Sequence, residues 1–176
     1  MTGSMSGIHV VFFIPNSKTY VDRIKTLKAA ADLVGKITVL VGVDDCFEKI
    51  ENSDVFCMKV VGFKPGDRFG NMFKASRQVL ALNDVDVIHD TFGNLIITFI
   101  VQRLKNNRPV LLSSFYALDR WRIDHVWKNQ GYKTKDLIFT KSGLRMYLGA
   151  LSQHLLARLS DFVILQAEGL IERYTE

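Results

Sequence analysis

The stretch Val87-Ile88-His89-Asp90-Thr91-Phe92-Gly93-Asn94 decides the fold of this chain. A short apolar run ends there in polar residues and a glycine, and an apolar helical segment follows. In an open α/β sheet, ligands bind outside the carboxyl ends of the strands. The stretch therefore predicts a buried parallel strand whose end faces a ligand-binding cleft.

Five further segments have the composition of buried strands, and helical segments alternate with them. Near-continuous apolar runs of this kind are typical of parallel strands that are covered on both faces. The six predicted strands are Val10–Ile14, Ile37–Val41, Val55–Phe63, Val85–Ile88, Val110–Phe115 and Phe162–Leu165. This alternation predicts a three-layer, Rossmann-like, doubly wound α/β fold with a mostly parallel sheet.

The helical segments are marked by apolar spacing and by capping residues. The first runs over residues 21–34 and ends at Gly35, and Asn71 is expected to cap a second that reaches Leu82. Asn94 is expected to cap a third, which is apolar nearly all round and therefore needs cover from another helix, a dimer mate or a missing domain. A long helix from Ser142 has a predicted core face of Leu144, Leu148, Leu151, Leu155 and Leu159. A short helix is predicted over residues 168–174.

Length and composition favour one globular domain. The chain has 176 residues, of which 48% are hydrophobic, and a net charge of +5 that favours anionic partners. Residues 1–7 resemble a tag or a disordered extension, so the domain is expected over residues 8–176. No apolar run reaches the roughly 18 residues of a membrane-spanning helix. Cys46 and Cys57 show no pairing pattern and fit a cytoplasmic protein.

The common cofactor signatures are absent from the sequence. The first strand is followed by Pro15-Asn16-Ser17-Lys18-Thr19 instead of a glycine-rich phosphate loop, and there is no P-loop or nucleophile elbow. The four histidines lack metal-ligand spacing. We therefore expect no cofactor and no metal site, and only weak binding of a sugar nucleotide by this chain alone.

Three sequence segments, with a buried helix after the first and a long helix before the last, carry a family resemblance. In order, they are Asp86-Val87-Ile88-His89-Asp90, Arg108-Pro109-Val110-Leu111-Leu112-Ser113-Ser114-Phe115-Tyr116 and the stretch from Leu159 to Leu170. The chain resembles the amino-terminal, acceptor-side domain of GT-B glycosyltransferases, and most of all the large group 1 or GT4 family. The family often has a Gly-Gly stretch where Pro15-Asn16-Ser17 stands, and a histidine at the position of Phe115 or Tyr116.

This resemblance implies one half of a glycosyltransferase, whose donor domain is absent from this chain. The complete enzyme would move a sugar from a nucleotide-sugar donor to a glycan, a lipid-linked acceptor or a small molecule. The chain alone is not expected to be active. The residues implied in catalysis are His89 and Asp90. Those implied in substrate binding are Asn16, Ser17, Thr91, Ser114, Tyr116 and Glu168.

Other interpretations of the sequence stay open. The fold would also suit a non-catalytic binding or scaffold module that partners a split transferase, a sugar-nucleotide epimerase, or, with less support, a nucleic-acid-binding domain. Residues 120–135 interleave Trp121 and Trp127 with basic side chains, which indicates contact with an anionic membrane surface or with single-stranded nucleic acid, or a plain exposed loop. The expected location is the cytoplasm, including the inner face of a membrane, and a homodimer is a further alternative.

Overall fold

The computed structural model describes residues 7–91, 93–115 and 140–165. These residues form strands and helices in the order β1-α1-β2-β3-α2-β4-α3-β5-α4-β6. The strands are β1 (Ile8–Asn16), β2 (Gly35–Val43), β3 (Phe56–Val60), β4 (Val87–Asp90), β5 (Val110–Phe115) and β6 (Phe162–Leu165). The helices are α1 (Val21–Val34), α2 (Arg68–Leu80), α3 (Ile96–Arg103) and α4 (Lys141–Leu159).

All of these strands belong to one sheet, in the spatial order β3-β2-β1-β4-β5-β6, and every neighbouring pair is parallel. The strand order reverses between β1 and β4, which is the point where open α/β sheets bind ligands. The predicted Rossmann-like α/β fold is confirmed. β4 begins and ends two residues later than predicted, so His89 and Asp90 are its last two residues.

Helices cover the two faces of the sheet unequally. On one face, α1 inserts Ile24 and Ala31 into a buried cluster with strand residues such as Val39. On the other face, α2, α3 and α4 contribute to a larger cluster built around β1, β4 and β5. β1 therefore has apolar contacts on both sides, which explains its continuous apolar run.

The apolar helix α3 is covered by other helices, as one of the predicted alternatives required. It lies between α2 and α4 and packs against both. Leu95, which precedes it, and Phe99 are fully buried, whereas Ile100 is 42% exposed. The helix therefore contributes only part of its circumference to the core.

The predicted core face of α4 is wrong. Leu144, Leu148, Leu151 and Leu155 are between 38% and 63% exposed, whereas Leu156 is 1% exposed and joins the main cluster. Of the predicted face, Leu159 alone packs partly against that cluster. Gly143 and Gly149 of α4 are buried, as Leu156 is.

The predicted start of α2 is also wrong. The helix begins at Arg68, three residues before Asn71, and its cap is Asp67, whose Oδ1 accepts a hydrogen bond from the Gly70 backbone N–H at 2.9 Å. The Asn71 side chain instead bonds the backbone N–H and C=O of Lys64, at 2.9 and 2.8 Å. Asn71 thereby fixes the loop that leads into the helix.

A close backbone approach at Gly42 positions the same loop. The backbone N–H groups of Gly62 and Phe63 both donate to the Gly42 carbonyl oxygen, at 3.0 and 2.8 Å. A Cβ atom on Gly42 would lie 2.6 Å from the Pro15 carbonyl oxygen and 2.7 Å from the Phe63 ring. Only glycine fits there, so the loop after β3 is held against the carboxyl end of β2.

Several predictions fall on residues that the structure does not describe. Residues 1–6, the aromatic and basic segment 120–135, and the predicted helix 168–174 lie outside the described ranges. Within those ranges, no helix is long and apolar enough to cross a membrane. No three His, Cys, Asp or Glu side chains of the described part come together as a candidate metal site.

Candidate functional site

The carboxyl ends of β1, β4 and β5 lie side by side and bring the candidate residues together. Phe12 of β1 is paired with His89 of β4, and Asp90 is paired with Ser113 of β5. Because successive side chains of a strand point to opposite faces, His89 and Asp90 lie on different sides of the sheet. Two adjacent residues of one motif therefore have different environments.

His89 forms a buried pair with Ser114. The imidazole Nε2 lies 2.9 Å from the Ser114 Oγ, and the two residues are 7% and 2% exposed. The Phe12 ring lies beside the imidazole, with its centroid 5.0 Å away and the planes inclined by 56°. The histidine is therefore enclosed by an aromatic ring and fixed by a hydroxyl group.

This environment keeps His89 neutral. The pKa of His89 is lowered to about 4, chiefly by burial and to a lesser degree by the positive charge of Arg23 on α1. At pH 7 one ring nitrogen therefore carries a proton and the other accepts a hydrogen bond. A neutral imidazole with an adjacent hydroxyl is suited to holding a hydroxyl group of a ligand.

Asp90 has a structural task at the other face of β4. It is 1% exposed, and its Oδ2 accepts a hydrogen bond from the Leu95 backbone N–H at 2.9 Å. This bond satisfies one of the free N–H groups at the start of α3, a position at which a negative charge is also favoured by the helix dipole. The predicted cap, Asn94, is not used, and α3 has no capping side chain at its N-cap residue, Leu95.

Thr91 follows directly and carries an unsatisfied hydroxyl group. The residue is 6% exposed, and its Oγ1 is buried without a hydrogen-bond partner in the described part of the chain. Buried hydroxyl groups are nearly always bonded, and the exceptions call for an explanation such as an absent ligand or water. Among the predicted binding residues that the structure describes, Thr91 is thus the one with a buried hydroxyl group that has no partner in those same ranges.

Asn16 and Ser17 tie the end of β1 to the end of β2. Asn16 Nδ2 donates to Asp45 Oδ2 at 2.8 Å. The buried Ser17 Oγ lies 2.9 Å from Asp44 Oδ1 and accepts from the Asp45 backbone N–H at 2.9 Å. The side chains of both predicted binding residues are therefore hydrogen-bonded to the aspartates that follow β2.

Asp44 and Asp45 are candidate site residues that the sequence reasoning missed. They follow the apolar run of β2 directly, just as His89 and Asp90 follow the apolar residues of β4. Their position at the carboxyl end of a buried strand was the signal that would have identified them. The backbone N–H of Lys18 is the main cause that lowers the pKa of the Asp45 carboxyl, with help from Asn16 and Ser17. Asp45 is therefore ionised at neutral pH and accepts hydrogen bonds only.

The remaining predicted site residues are not all described. Tyr116 and Glu168 lie outside the described ranges, whereas Ser114 is in place beside His89. Asp161, which belongs to the third segment of the family resemblance, lies near the amino ends of β5 and β6, away from this site. It accepts two hydrogen bonds from Arg108, at 2.6 and 2.7 Å, and one from the Leu111 backbone N–H at 2.8 Å.

Sequence comparison finds nothing similar to this chain. No family model matches it, and no curated protein does either. The fold, in contrast, matches solved structures. Sucrose-phosphate synthase from Thermosynechococcus elongatus superposes on 95% of this chain with a TM-score of 0.59 at 13% identity.

That protein is a GT-B glycosyltransferase, and this chain spans 45% of its length. At such low identity the likeness establishes the fold alone. The chain therefore has a glycosyltransferase-like, Rossmann-type α/β fold of the size of roughly half such an enzyme.

Proposed function

We propose that this chain is the acceptor-binding half of a glycosyltransferase that moves a sugar from a nucleotide-sugar donor to a hydroxylated acceptor. The observation that carries the proposal is the set of hydrogen-bonding groups at the carboxyl ends of β2, β4 and β5, in a fold shared with one such enzyme. The groups are those of Asp44, Asp45, His89, Thr91 and Ser114. The nucleotide part of the donor would bind mainly to a second domain.

The chemistry of these groups suits a sugar better than a phosphate. Carboxylates accept hydrogen bonds from hydroxyl groups, and Asp45 is ionised at neutral pH. Two carboxylates at the end of β2 would repel a diphosphate, and the turn after β1 has no glycine-rich loop to offset that repulsion. This charge distribution supports acceptor binding at this edge.

His89 and Ser114 would orient the acceptor hydroxyl that attacks the donor sugar. A histidine with a pKa of about 4 is a weak base at pH 7, so the proposed role is hydrogen bonding and positioning. Thr91 would supply a further hydroxyl contact, because its Oγ1 has no hydrogen-bond partner among residues 7–91, 93–115 and 140–165. Asp90 would act indirectly, by holding the start of α3.

Amide chemical shifts of the ¹⁵N-labelled chain test this proposal. Titration with glucose, mannose and N-acetylglucosamine is expected to shift the amide signals at 44–45, 89–91 and 114. UDP-glucose and GDP-mannose are expected to have weaker effects there. Ser114→Ala and Asp45→Asn should reduce the sugar response, while Asp32→Asn, which changes an exposed carboxylate on α1, should not. Low-micromolar nucleotide binding at residues 15–19 would show that the donor site has been misplaced.

A non-catalytic binding module is the second candidate, and one observation favours it. The imidazole of His89 is already paired with Ser114, and Asp90 with the Leu95 backbone, so two candidate groups have partners inside the fold. The same titration separates the two functions. A scaffold would show no sugar-dependent shifts at the strand ends.

A further inference from the structure

The exposed side of α2 combines aromatic side chains with positive charge. Phe69 and Phe73 lie one turn apart and are 70% and 64% exposed, although Met72, Ala75 and Val79 of the same helix are buried. Arg77 is exposed and continues the stripe of Phe69 and Phe73 by one more turn. Exposed apolar residues that lie together, rather than singly, mark interaction surfaces.

Every charged residue of α2 is basic. Arg68, Lys74 and Arg77 are its only charged side chains, and Lys64 is exposed in the loop before it. The acidic residue directly before the helix, Asp67, uses its carboxylate to accept a hydrogen bond from the Gly70 backbone N–H. The apolar pair is thus bordered by cations, which an anionic surface would complement.

The position of Arg68 is not explained by helix stability. A positive charge in the first turn of a helix is opposed by the helix dipole, and α2 has no acidic residue in its first turn. Polar or acidic residues would serve the helix better at the exposed positions 68, 69 and 73. These residues are therefore better explained by a contact outside the domain.

We infer that α2 docks this domain on an anionic lipid surface. Phe69 and Phe73 would enter the boundary between headgroups and acyl chains, as the apolar side of an interfacial helix does, and Arg68, Arg77 and Lys64 would contact the phosphate groups. The loop at Gly42 holds the start of α2 at the edge of the sheet where His89 and Ser114 lie. The inference does not depend on the transfer reaction proposed above.

Vesicle binding by the full 176-residue chain tests the inference. The chain is expected to co-sediment with vesicles of phosphatidylcholine containing 30% phosphatidylglycerol, and much less with phosphatidylcholine alone. Phe69→Ser together with Phe73→Ser should lower the partition coefficient by roughly tenfold or more, since each ring loses its burial in lipid. Arg68→Gln with Arg77→Gln should lower it by about fivefold for each charge removed, on anionic vesicles only. Added salt should weaken binding in the same way.

Two matched variants make the test specific. Leu33→Ser with Lys36→Gln removes an exposed apolar residue and a charge near the opposite end of the sheet, and should leave binding unchanged. Leu148→Ser with Leu151→Ser removes two exposed apolar side chains from α4. The inference fails if the α4 variant rather than the α2 variant loses binding, or if the chain binds neither vesicle. It also fails if light scattering shows that the Phe69 and Phe73 variant converts an oligomer to a monomer, since the surface would then contact protein.

Discussion

His89 Nε2 lies 2.9 Å from Ser114 Oγ, and this pair joins the ends of β4 and β5 within a nearly closed environment. The relationship links the fold to the candidate site, because it joins side chains of two different strands. We therefore expect both residues to contribute to stability, independent of any ligand.

The first prediction concerns pH. The folded pKa of His89 is about 4 and the ordinary value is 6.5, so below pH 6.5 the unfolded chain takes up a proton that the folded chain does not. The contribution of His89 to folding is thus complete above pH 6.5 and falls between pH 6.5 and 4. The loss is about 3 kcal/mol of unfolding free energy. Urea unfolding of wild type and His89→Gln at several pH values measures it. If the unfolding free energies of the two proteins depended equally on pH, the lowered pKa of His89 would be contradicted.

The second prediction concerns Ser114. Replacement by alanine leaves His89 Nε2 without its partner in a buried position, which should cost about 1–3 kcal/mol of unfolding free energy. Ser114→Thr keeps the hydroxyl group and should recover part of this loss. Ser53→Ala loses only a hydrogen bond from the Phe56 backbone N–H at an exposed serine, so it is the control for serine replacement and should have a smaller effect. Thermal and urea unfolding at pH 7 measure these differences. If Ser114→Ala leaves the unfolding free energy unchanged, the pair of His89 and Ser114 contributes no net stability.

The third prediction concerns Asp90. Asp90→Ala removes the acceptor for the Leu95 N–H and should destabilise the chain by about 0.5–2 kcal/mol, the usual range for a lost helix cap. Asp90→Asn retains an acceptor oxygen and should cost less. Hydrogen exchange should accelerate locally at residues 95–99. If exchange there is unchanged in Asp90→Ala, Asp90 does not hold the helix start.

The fourth prediction concerns Asp161 and its partners Arg103, Arg108 and Leu111. Arg108 is the main cause that lowers the pKa of the Asp161 carboxyl, with Leu111 and Arg103 assisting. The carboxylate therefore stabilises the fold above its unfolded pKa of about 3.9, and that stabilisation is lost as pH falls below it towards the folded pKa. Asp161→Asn should lower the unfolding free energy by about 1–3 kcal/mol at pH 7 and by less at pH 2.5. Glu51→Gln, in the exposed pair with Lys49, should change nothing.

The fifth prediction separates the two faces of α4. Leu156→Ala should cost about 2–5 kcal/mol, because it empties a core position, whereas Leu151→Ala should change the unfolding free energy by less than about 0.5 kcal/mol. The exposures of 1% and 63% are the basis for this contrast. If the two variants lost similar amounts of unfolding free energy, the core face predicted from the leucine spacing would be correct after all.

Much of the fold follows from the sequence, because buried parallel strands need continuous apolar runs. Val10–Ile14 and Ile37–Val41 were identifiable for that reason, and the structure extends both by two residues at each end. Gly35 was identifiable as the end of α1, and it adopts a φ of 111° there that favours glycine. The placement of His89 and Ser114 at adjoining strand ends followed from their position after apolar runs.

The tertiary structure alone decided which groups are used and how. The leucine spacing of α4 is regular, but the helix packs through Leu156 on another face, and spacing cannot reveal which face a neighbour accepts. Asp90 and Asn94 both suit a helix cap, and only the direction of β4 relative to α3 brought the Asp90 carboxylate to the Leu95 N–H. The neutral state of His89 likewise depends on its burial in the fold and on the charge of Arg23, which is distant in sequence. Local pattern fixes which segments are strands and helices, whereas burial and charge depend on contacts between segments.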